Sequence, residues 1–218
     1  IVFNLLASFA AYLVLYNRIT KEEGEGGKMS IFRKNADVFE EAAAPYERQI
    51  YFTCLRMMGN PQDAEDCAQE AMLKAFKSFS AFRGKSKFST WLYTIAVRCC
   101  MDALRVRKND LSLNELQDAG WEKADEGPSP YLQLETAERK RALERGISRL
   151  PDDQRFALVL CDLQGMSYDE AASAMECPVG TVKSRLNRAR AALKNILSCD
   201  PELFSSLQRP NDERGKTK

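Results

Sequence analysis

Hydrophobic residues recur at intervals of three and four along most of the chain. The clearest stripe lies on a helix predicted to begin at Asn60 and Pro61, because Asn suits the N-cap and Pro the first helical position. Its members are Ala64, Cys67, Ala68, Ala71, Met72, Ala75 and Phe76. No stretch alternates between apolar and polar residues as a half-buried strand does. The pattern therefore predicts an all-α fold.

Further helices are predicted on both sides of this one. Upstream, the apolar positions of residues 37–58 keep helical spacing, and Pro45 is expected to divide them between two helices. Downstream, residues 78–89 form a predicted loop. Ser89 or Thr90 then caps a helix that is expected to end near Lys108.

After Lys108 the helical period is lost, and Gly and Pro recur. Between Leu111 and Glu135 there are six acids and one base, Lys123, a composition that predicts an extended acidic linker. The chain is thus expected to hold two small helical domains. We place the first domain, the linker, the second domain and a disordered tail at residues 29–109, 110–136, 137–199 and 200–218.

The second domain contains a helix-turn-helix pattern. A helix is predicted from near Thr136 to Leu150, and Pro151 opens another that Gly165 ends. Ser167 and Glu170 then form a capping box for a short helix. A turn over residues 176–179 leads into a second helix that begins at about Gly180. Helix, short turn and helix together are typical of DNA-binding proteins.

The two helices of this motif carry opposite charges. The first carries Asp169 and Glu170, whereas the second carries five bases and no acid: Lys183, Arg185, Arg188, Arg190 and Lys194. A polar stripe on the second helix consists of Thr181, Ser184, Asn187 and Arg188. Such a stripe can hydrogen-bond base edges in the major groove while the flanking bases hold phosphates. The alternative is a solvated basic helix on an ordinary bundle.

A second basic segment runs from Arg83 to Lys108 and holds seven bases against one acid, Asp102. Aromatic residues are interleaved with these bases, a combination that suits single-stranded DNA. Phe82, Phe88 and Trp91 are nevertheless more typical of a core than of a stacking platform. We therefore assign Arg83, Lys85 and Lys87 to backbone contact before assigning any aromatic to a base.

The amino-acid composition excludes several classes of catalytic and metal-binding site. The 218 residues carry a net charge of +1, and the absence of histidine excludes His-based catalysis and His metal ligands. The seven cysteines contain no C-x-x-C pair and most lie at apolar helical positions, as expected of buried thiols in a reducing cytoplasm. We expect no metal, no cofactor and no small-molecule substrate.

The first 28 residues form a separate question. Lys21 to Lys28 are rich in Lys, Glu and Gly, whose codons are rich in purines, as in a translated ribosome-binding site ahead of Met29. Our hypothesis is that residues 1–28 are a mis-assigned leader and that Met29 is the start. A membrane anchor is the alternative, although Ile1 to Tyr16 is short for a bilayer crossing.

Two separate blocks of the chain resemble the extracytoplasmic-function (ECF) family of bacterial RNA polymerase sigma factors. In the first, residues 59–70 (GNPQDAEDCAQE) resemble the family's core-binding segment, and residues 82–96 (FRGKSKFSTWLYTIA) resemble its promoter-melting and minus-ten segment. In the second, Leu150-Pro151, residues 165–168 (GMSY) and residues 180–186 (GTVKSRL) resemble the domain that binds the minus-thirty-five element.

This resemblance implies a non-enzymatic, cytoplasmic initiation factor that binds core RNA polymerase and promoter DNA and is held by an anti-sigma factor. The implied core-binding residues are Asp63, Asp66, Gln69 and Glu70. The implied minus-ten residues are Arg83, Lys85, Lys87, Thr94, Arg98, Met101 and Arg105. The implied minus-thirty-five residues are Thr181, Lys183, Ser184, Arg185, Asn187 and Arg188. The linker is implied to thread the polymerase channels.

The chain departs from the family pattern at two of these places. Arg98 stands where the family often has Asn, so it is expected to read a guanine or to hold a phosphate. Glu176 stands where Gly is frequent, so the turn is expected to form with some strain.

Two rival functions remain at this point. One is a helix-turn-helix repressor or activator, which has no use for the block at residues 59–96. The other is a nuclease, whose metal would need a second carboxylate cluster besides Asp63, Glu65, Asp66 and Glu70.

Overall fold

The computed structural model describes residues 37–111 and 132–199, and the expectations for residues 1–28, most of the linker and the tail lie outside these ranges. All regular structure in the described ranges is helical. The first half contains α1 (residues 37–43), a 3-10 turn Ala44–Tyr46, α2 (Glu47–Met58), α3 (Pro61–Ser78), a 3-10 turn Phe79–Ala81 and α4 (Phe88–Leu111). The second contains α5 (Leu132–Ser148), α6 (Asp152–Leu158) with a π-helical end Val159–Leu163, α7 (Tyr168–Ala174) and α8 (Val179–Leu197).

Local sequence signals explain most helix ends. The Asn60 side chain accepts the Asp63 backbone N–H at 2.8 Å, and Pro61 occupies the first position of α3, as predicted. Gly59 adopts a left-handed φ of 79° and ends α2, a conformation that glycine tolerates best. Pro45 lies in the 3-10 turn that separates α1 from α2.

Three predicted boundaries are wrong. The helix α4 begins at Phe88, so Ser89 and Thr90 lie in its first turn rather than capping it, and it extends past Lys108 to Leu111. The helix α5 begins at Leu132, within the segment predicted as linker. The helix α4 is longer than predicted at both ends, and α5 is longer at its start. Helix ends that lack a distinctive cap residue are difficult to place from sequence.

The two halves pack against each other around one continuous apolar core. In the first half α2, α3 and α4 pack together, and in the second α8 packs on α5, α6 and α7. Between the halves, α7 lies on α4, while α5 and α6 lie on α2. Gly146 permits the close approach of α5 to α8, because a Cβ there would lie 2.8 Å from Leu193 Cδ1. Within the described ranges, no helix has the length and apolarity needed to cross a bilayer.

Candidate nucleic-acid interface

The helix-turn-helix forms as the sequence predicts. Ser167 Oγ accepts the Glu170 backbone N–H at 3.2 Å, and Glu170 Oε2 accepts the Ser167 N–H at 2.9 Å, completing the capping box of α7. These hydrogen bonds lower the pKa of Glu170, chiefly through the Ser167 backbone N–H. The turn contains Glu176 at φ 51°, which confirms the strain expected where a side chain replaces glycine.

The polar stripe of α8 divides into an outer and an inner group. Asn187 and Arg188 of the stripe are exposed, as is the neighbouring base Lys183. Thr181, Ser184 and Arg185 are half-buried and make internal contacts. Ser184 Oγ donates to the Thr181 carbonyl at 2.9 Å, and Arg185 pairs with Asp153 at 3.1 Å.

Two bases of α8, Arg190 and Lys183, each contact a residue outside that helix. Arg190 donates two hydrogen bonds to the Asp162 carboxylate, at 2.6 and 2.9 Å, and its pKa is raised by this pairing. Arg190 therefore ties α8 to the π-helical turn. The Lys183 ammonium lies 5.5 Å from the centre of the Tyr168 ring, which holds it over α7.

The basic loop of the first half presents its cations outward and its aromatics inward. Arg83, Lys85 and Lys87 are all exposed. Phe82, Phe88 and Trp91 contact one another with ring centroids 5.0 to 5.6 Å apart, and Phe88 also meets Phe39, Tyr46 and Phe79. The aromatic residues thus hold the loop against the core, whereas the bases are available for phosphates.

The outer face of α4 lies partly under the second half. Arg98 pairs with Glu176 at 3.3 Å and donates to the Ser173 carbonyl at 3.3 Å. Thr94 and Met101 are half-buried, and Thr94 Oγ1 donates to the Thr90 carbonyl at 2.9 Å. Arg105 is exposed and pairs with Asp102 one turn away. Arg98 therefore contacts the helix-turn-helix directly.

An acidic surface on α3 stays open. Asp66 and Glu70 are exposed, and Gln69 is half-buried. Glu70 pairs with Lys74 along the helix at 3.3 Å. Asp63 differs from these three residues because it makes contacts that stabilise the fold. It is hydrogen-bonded to the capping residue Asn60 and pairs with Arg107 at 3.2 Å.

The cysteines cluster in the core of the first half. Cys54, Cys67, Cys99 and Cys100 are buried, and burial raises the pKa of Cys99 to about 11. The pKa of Cys67 is raised as well, first by a hydrogen bond with the Cys100 thiol and then by burial, and the pKa of Cys100 is raised by a hydrogen bond with the Cys54 thiol and by burial. Because their pKa values are raised, the thiols of Cys67, Cys99 and Cys100 stay protonated at neutral pH and are poor nucleophiles. Among the described residues, no group of His, Cys, Asp or Glu is arranged to hold a metal ion.

Contacts between the two halves were missed from sequence. Arg155 is only 6% exposed and donates to the Met57 carbonyl at 2.6 and 3.1 Å, to the carbonyls of Ser148 and Leu150, and to Asp152. Its one sequence signal is its position four residues before Val159, on the apolar face of its helix. The pair of Arg56 with Glu144, at 2.7 Å and bidentate, has no sequence signal.

Each half of the chain matches a known protein family. The model of the sigma-70 region 2 family matches residues 43–109, and that of the sigma-70 region 4 family matches residues 140–193. The RNA polymerase sigma-H factor of Pseudomonas aeruginosa is 34% identical over 185 residues, covering 82% of this chain and 96% of that protein. The ECF RNA polymerase sigma factor SigW of Bacillus subtilis is 36% identical, covering 74% of this chain and 89% of that protein.

A solved structure shares the fold. It is that of the sigma factor RpoE of Bartonella quintana in complex with the anti-sigma factor NepR, with a TM-score of 0.61 and 26% identity. The match covers 74% of this chain and 98% of that one.

Proposed function

This chain belongs to the ECF family of RNA polymerase sigma factors, and from that membership we propose how its surfaces bind core polymerase and promoter DNA. It directs promoter-specific initiation of transcription and has no chemistry of its own. The observation that carries this proposal is the presence of both sigma-70 regions in one chain. Exposed bases in both regions suit the phosphates of DNA, and exposed acids on α3 suit a basic surface of the polymerase.

Core polymerase docks on the acidic surface of α3. Asp66, Gln69 and Glu70 supply carboxylates and an amide that suit a basic partner surface, and Asp63 supports them through the N-cap. A charge surface of this kind adds chiefly to the rate of association and to specificity.

The minus-ten element binds across the basic loop and the outer face of α4. Arg83, Lys85 and Lys87 hold the backbone of the melted strand, because they are exposed cations on a well-packed loop. Thr94, Arg98, Met101 and Arg105 face the bases. Arg98 reads a guanine or holds a phosphate there, where the family often has an amide.

The minus-thirty-five element binds α8 in the major groove. Asn187 and Arg188 reach base edges, Lys183 holds a phosphate, and the half-buried Thr181, Ser184 and Arg185 shape the start of the helix. Because the two DNA-binding regions are tethered, weak contacts at each add through effective concentration. An anti-sigma factor is a further partner, and the site of action is the cytoplasm.

Run-off transcription with purified bacterial core polymerase tests this function. The template is DNA from upstream of the protein's own gene, and core alone is the control. Initiation from a defined start should require the protein. Charge reversal at Asp66 and Glu70 should abolish it, whereas reversal of the exposed acid Glu138 on α5 should leave it intact. Equal loss in both variants would contradict the α3 surface as the core-binding site.

A repressor gives a different result in the same preparation. It would bind duplex DNA tightly without polymerase and would not co-purify with core. Such an outcome would overturn the sigma-factor function and leave the first half without a role.

A further inference from the structure

Three arginines form an exposed stripe that the proposed function does not use. Arg141 and Arg145 lie on α5, and Arg149 lies in the turn directly after it, so they follow one another at intervals of four residues, about 6 Å along the helix axis. All three are exposed, and within the part of the chain that the structure describes none of their guanidinium groups has an ion-pair or hydrogen-bond partner. Glu138, one turn before Arg141, offsets at most one of these charges. Like charges at this spacing repel each other, so an anionic partner would stabilise this face of α5.

This arginine stripe is separate from the minus-thirty-five surface. Helix α5 packs on α8 at Gly146, whose nearest neighbours on α8 include Leu193 and Ile196. Ile196 follows Asn187 by about two and a half helical turns and therefore lies on the opposite side of α8. Helix α5 is thus behind α8 as seen from the DNA groove, so the stripe requires an anionic partner other than the minus-thirty-five DNA.

An acidic segment of the chain, residues 112–131, connects α4 to α5. It contains one base, Lys123, and five acids: Glu115, Asp118, Glu122, Asp125 and Glu126. Carboxylates match the planar donor geometry of guanidinium groups. Because the segment is joined covalently to α5, its effective concentration at the stripe is on the order of millimolar, which favours it over an unattached partner.

The contacts of α4 place the start of this acidic segment close to α2. Arg107, four residues before the end of α4, pairs with Asp63 at 3.2 Å. Asp63 is hydrogen-bonded to Asn60, the capping residue of α3, which follows the end of α2 by two residues. The chain therefore leaves α4 beside the junction of α2 and α3.

The same junction lies against the C-terminal end of α5. Arg155 donates both to the Met57 carbonyl, in the last turn of α2, and to the Leu150 carbonyl, just past the end of α5. The acidic segment thus starts near the C-terminal end of α5 and rejoins that 17-residue helix at Leu132, roughly 25 Å away. A chain of this length can span up to about 66 Å, so the segment is long enough to follow the whole stripe.

We propose that the arginine stripe is the docking surface of the acidic segment, which lies antiparallel to α5 and pairs its carboxylates with the three guanidinium groups. The direction follows from the two ends, since the segment begins near the last arginine and rejoins α5 before the first. This docking is independent of the DNA and polymerase contacts proposed above. The ion pairs are exposed, so each is weak, and salt releases the segment.

Proteolysis of the full chain at Lys123 tests this docking, because that residue is the single base of the acidic segment. A lysine-specific endopeptidase is used. The rate of cleavage at Lys123 is divided by the rate at Lys216 in the same molecule, which cancels effects of salt on the enzyme.

Two triple variants that each lose three positive charges are compared with the parent. The stripe variant is Arg141→Gln with Arg145→Gln and Arg149→Gln. The control has three substitutions at exposed positions outside the stripe: Arg48→Gln, Lys77→Gln and Lys194→Gln.

In about 0.05 M NaCl the stripe variant should be cleaved at Lys123 about tenfold faster than the parent, since three weak pairs are lost and cleavage follows the population of undocked segments. The control should match the parent. In about 1 M NaCl the parent should reach the rate of the stripe variant. Equal rates in the parent and the stripe variant at low salt would overturn the proposal, and weaker binding of duplex DNA by the stripe variant would then assign the stripe to DNA.

A charge exchange tests whether the acidic segment is the partner of the stripe. Arg141→Glu with Arg145→Glu should accelerate cleavage at Lys123 as the stripe variant does. Addition of Glu122→Arg and Asp125→Arg should restore slow cleavage, because opposite charges again face each other. Fast cleavage in this exchanged variant would also overturn the proposal.

Discussion

Replacement of Arg155 tests the contact between the two halves most directly. The guanidinium is 6% exposed and satisfies the carbonyls of Met57, Ser148 and Leu150 together with the Asp152 carboxylate. Burial lowers its pKa, although Asp152 opposes that effect, so the charge is retained. Arg155→Ala leaves these acceptors without their donor and creates a cavity between α6 and α2.

The expected loss in the free energy of unfolding is about 3 kcal/mol. Breaking a buried ionic contact from one side costs about 3–5 kcal/mol, and hydrogen bonds to a charged group contribute about 1.5–3 kcal/mol each. The lower end applies here because the Asp152 side chain is 29% exposed and can regain water. The midpoint of urea unfolding should fall by about 1.5 M.

Urea titration followed by circular dichroism measures this loss. Arg145→Ala, at an exposed position of α5, is the matched control and should change stability by no more than about 0.5 kcal/mol. Arg155→Lys should recover little, because its three N–H donors share one nitrogen, whereas the guanidinium contacts four acceptors from three separate nitrogens. A loss below about 1 kcal/mol for Arg155→Ala would refute the structural role of this residue.

Three further predictions concern strain, thiol reactivity and pH. Glu176→Gly should stabilise the protein by about 1 kcal/mol in thermal unfolding, because glycine adopts the positive φ without strain and the exposed pair with Arg98 contributes little; destabilisation would contradict this. In the native protein a thiol reagent should react with Cys199 first and with the four buried cysteines of the first half only on unfolding; fast reaction of the buried set would contradict their burial and the raised pKa values of Cys67, Cys99 and Cys100. Because the pKa of Glu170 is lowered below 4.5, its capping box should stabilise α7 above that pH and lose this contribution as the pH falls through the lowered pKa. Urea titrations across that range should show a smaller pH dependence for Glu170→Gln than for the parent.

The order of helices could be predicted because each depends on signals within a few residues. The N-cap at Asn60, the capping box from Ser167 to Glu170 and the apolar stripe of α3 are all local, and the structure confirms each of them. The exposed cations of the basic loop were likewise predicted, together with the inward position of its aromatics. The starts of α4 and α5 were not, since neither depends on a distinctive cap residue.

The surroundings of the candidate DNA-reading residues could not be read from sequence. The implied minus-thirty-five residues include Ser184 and Arg185 on the same footing as Asn187, yet in the structure Ser184 and Arg185 make internal contacts. Arg98 likewise gains Glu176 and Ser173 as partners from a distant part of the chain. Such differences depend on which neighbouring helix lies against a face, and helical periodicity carries no information about that.

The sequence by itself determined which segments are helical, their division into two halves that each carry a charged surface, and the resemblance to a family. These features follow from periodicity, caps and motifs, which are encoded locally. Only the tertiary structure decided that the halves share one core and that α7 lies on α4. That arrangement depends on pairs such as Arg56 with Glu144 and Arg155 with the Met57 carbonyl, whose members are far apart in the chain. The sequence does not show whether a charged side chain contacts solvent or the carbonyl group of a distant residue, because that depends on how the helices pack.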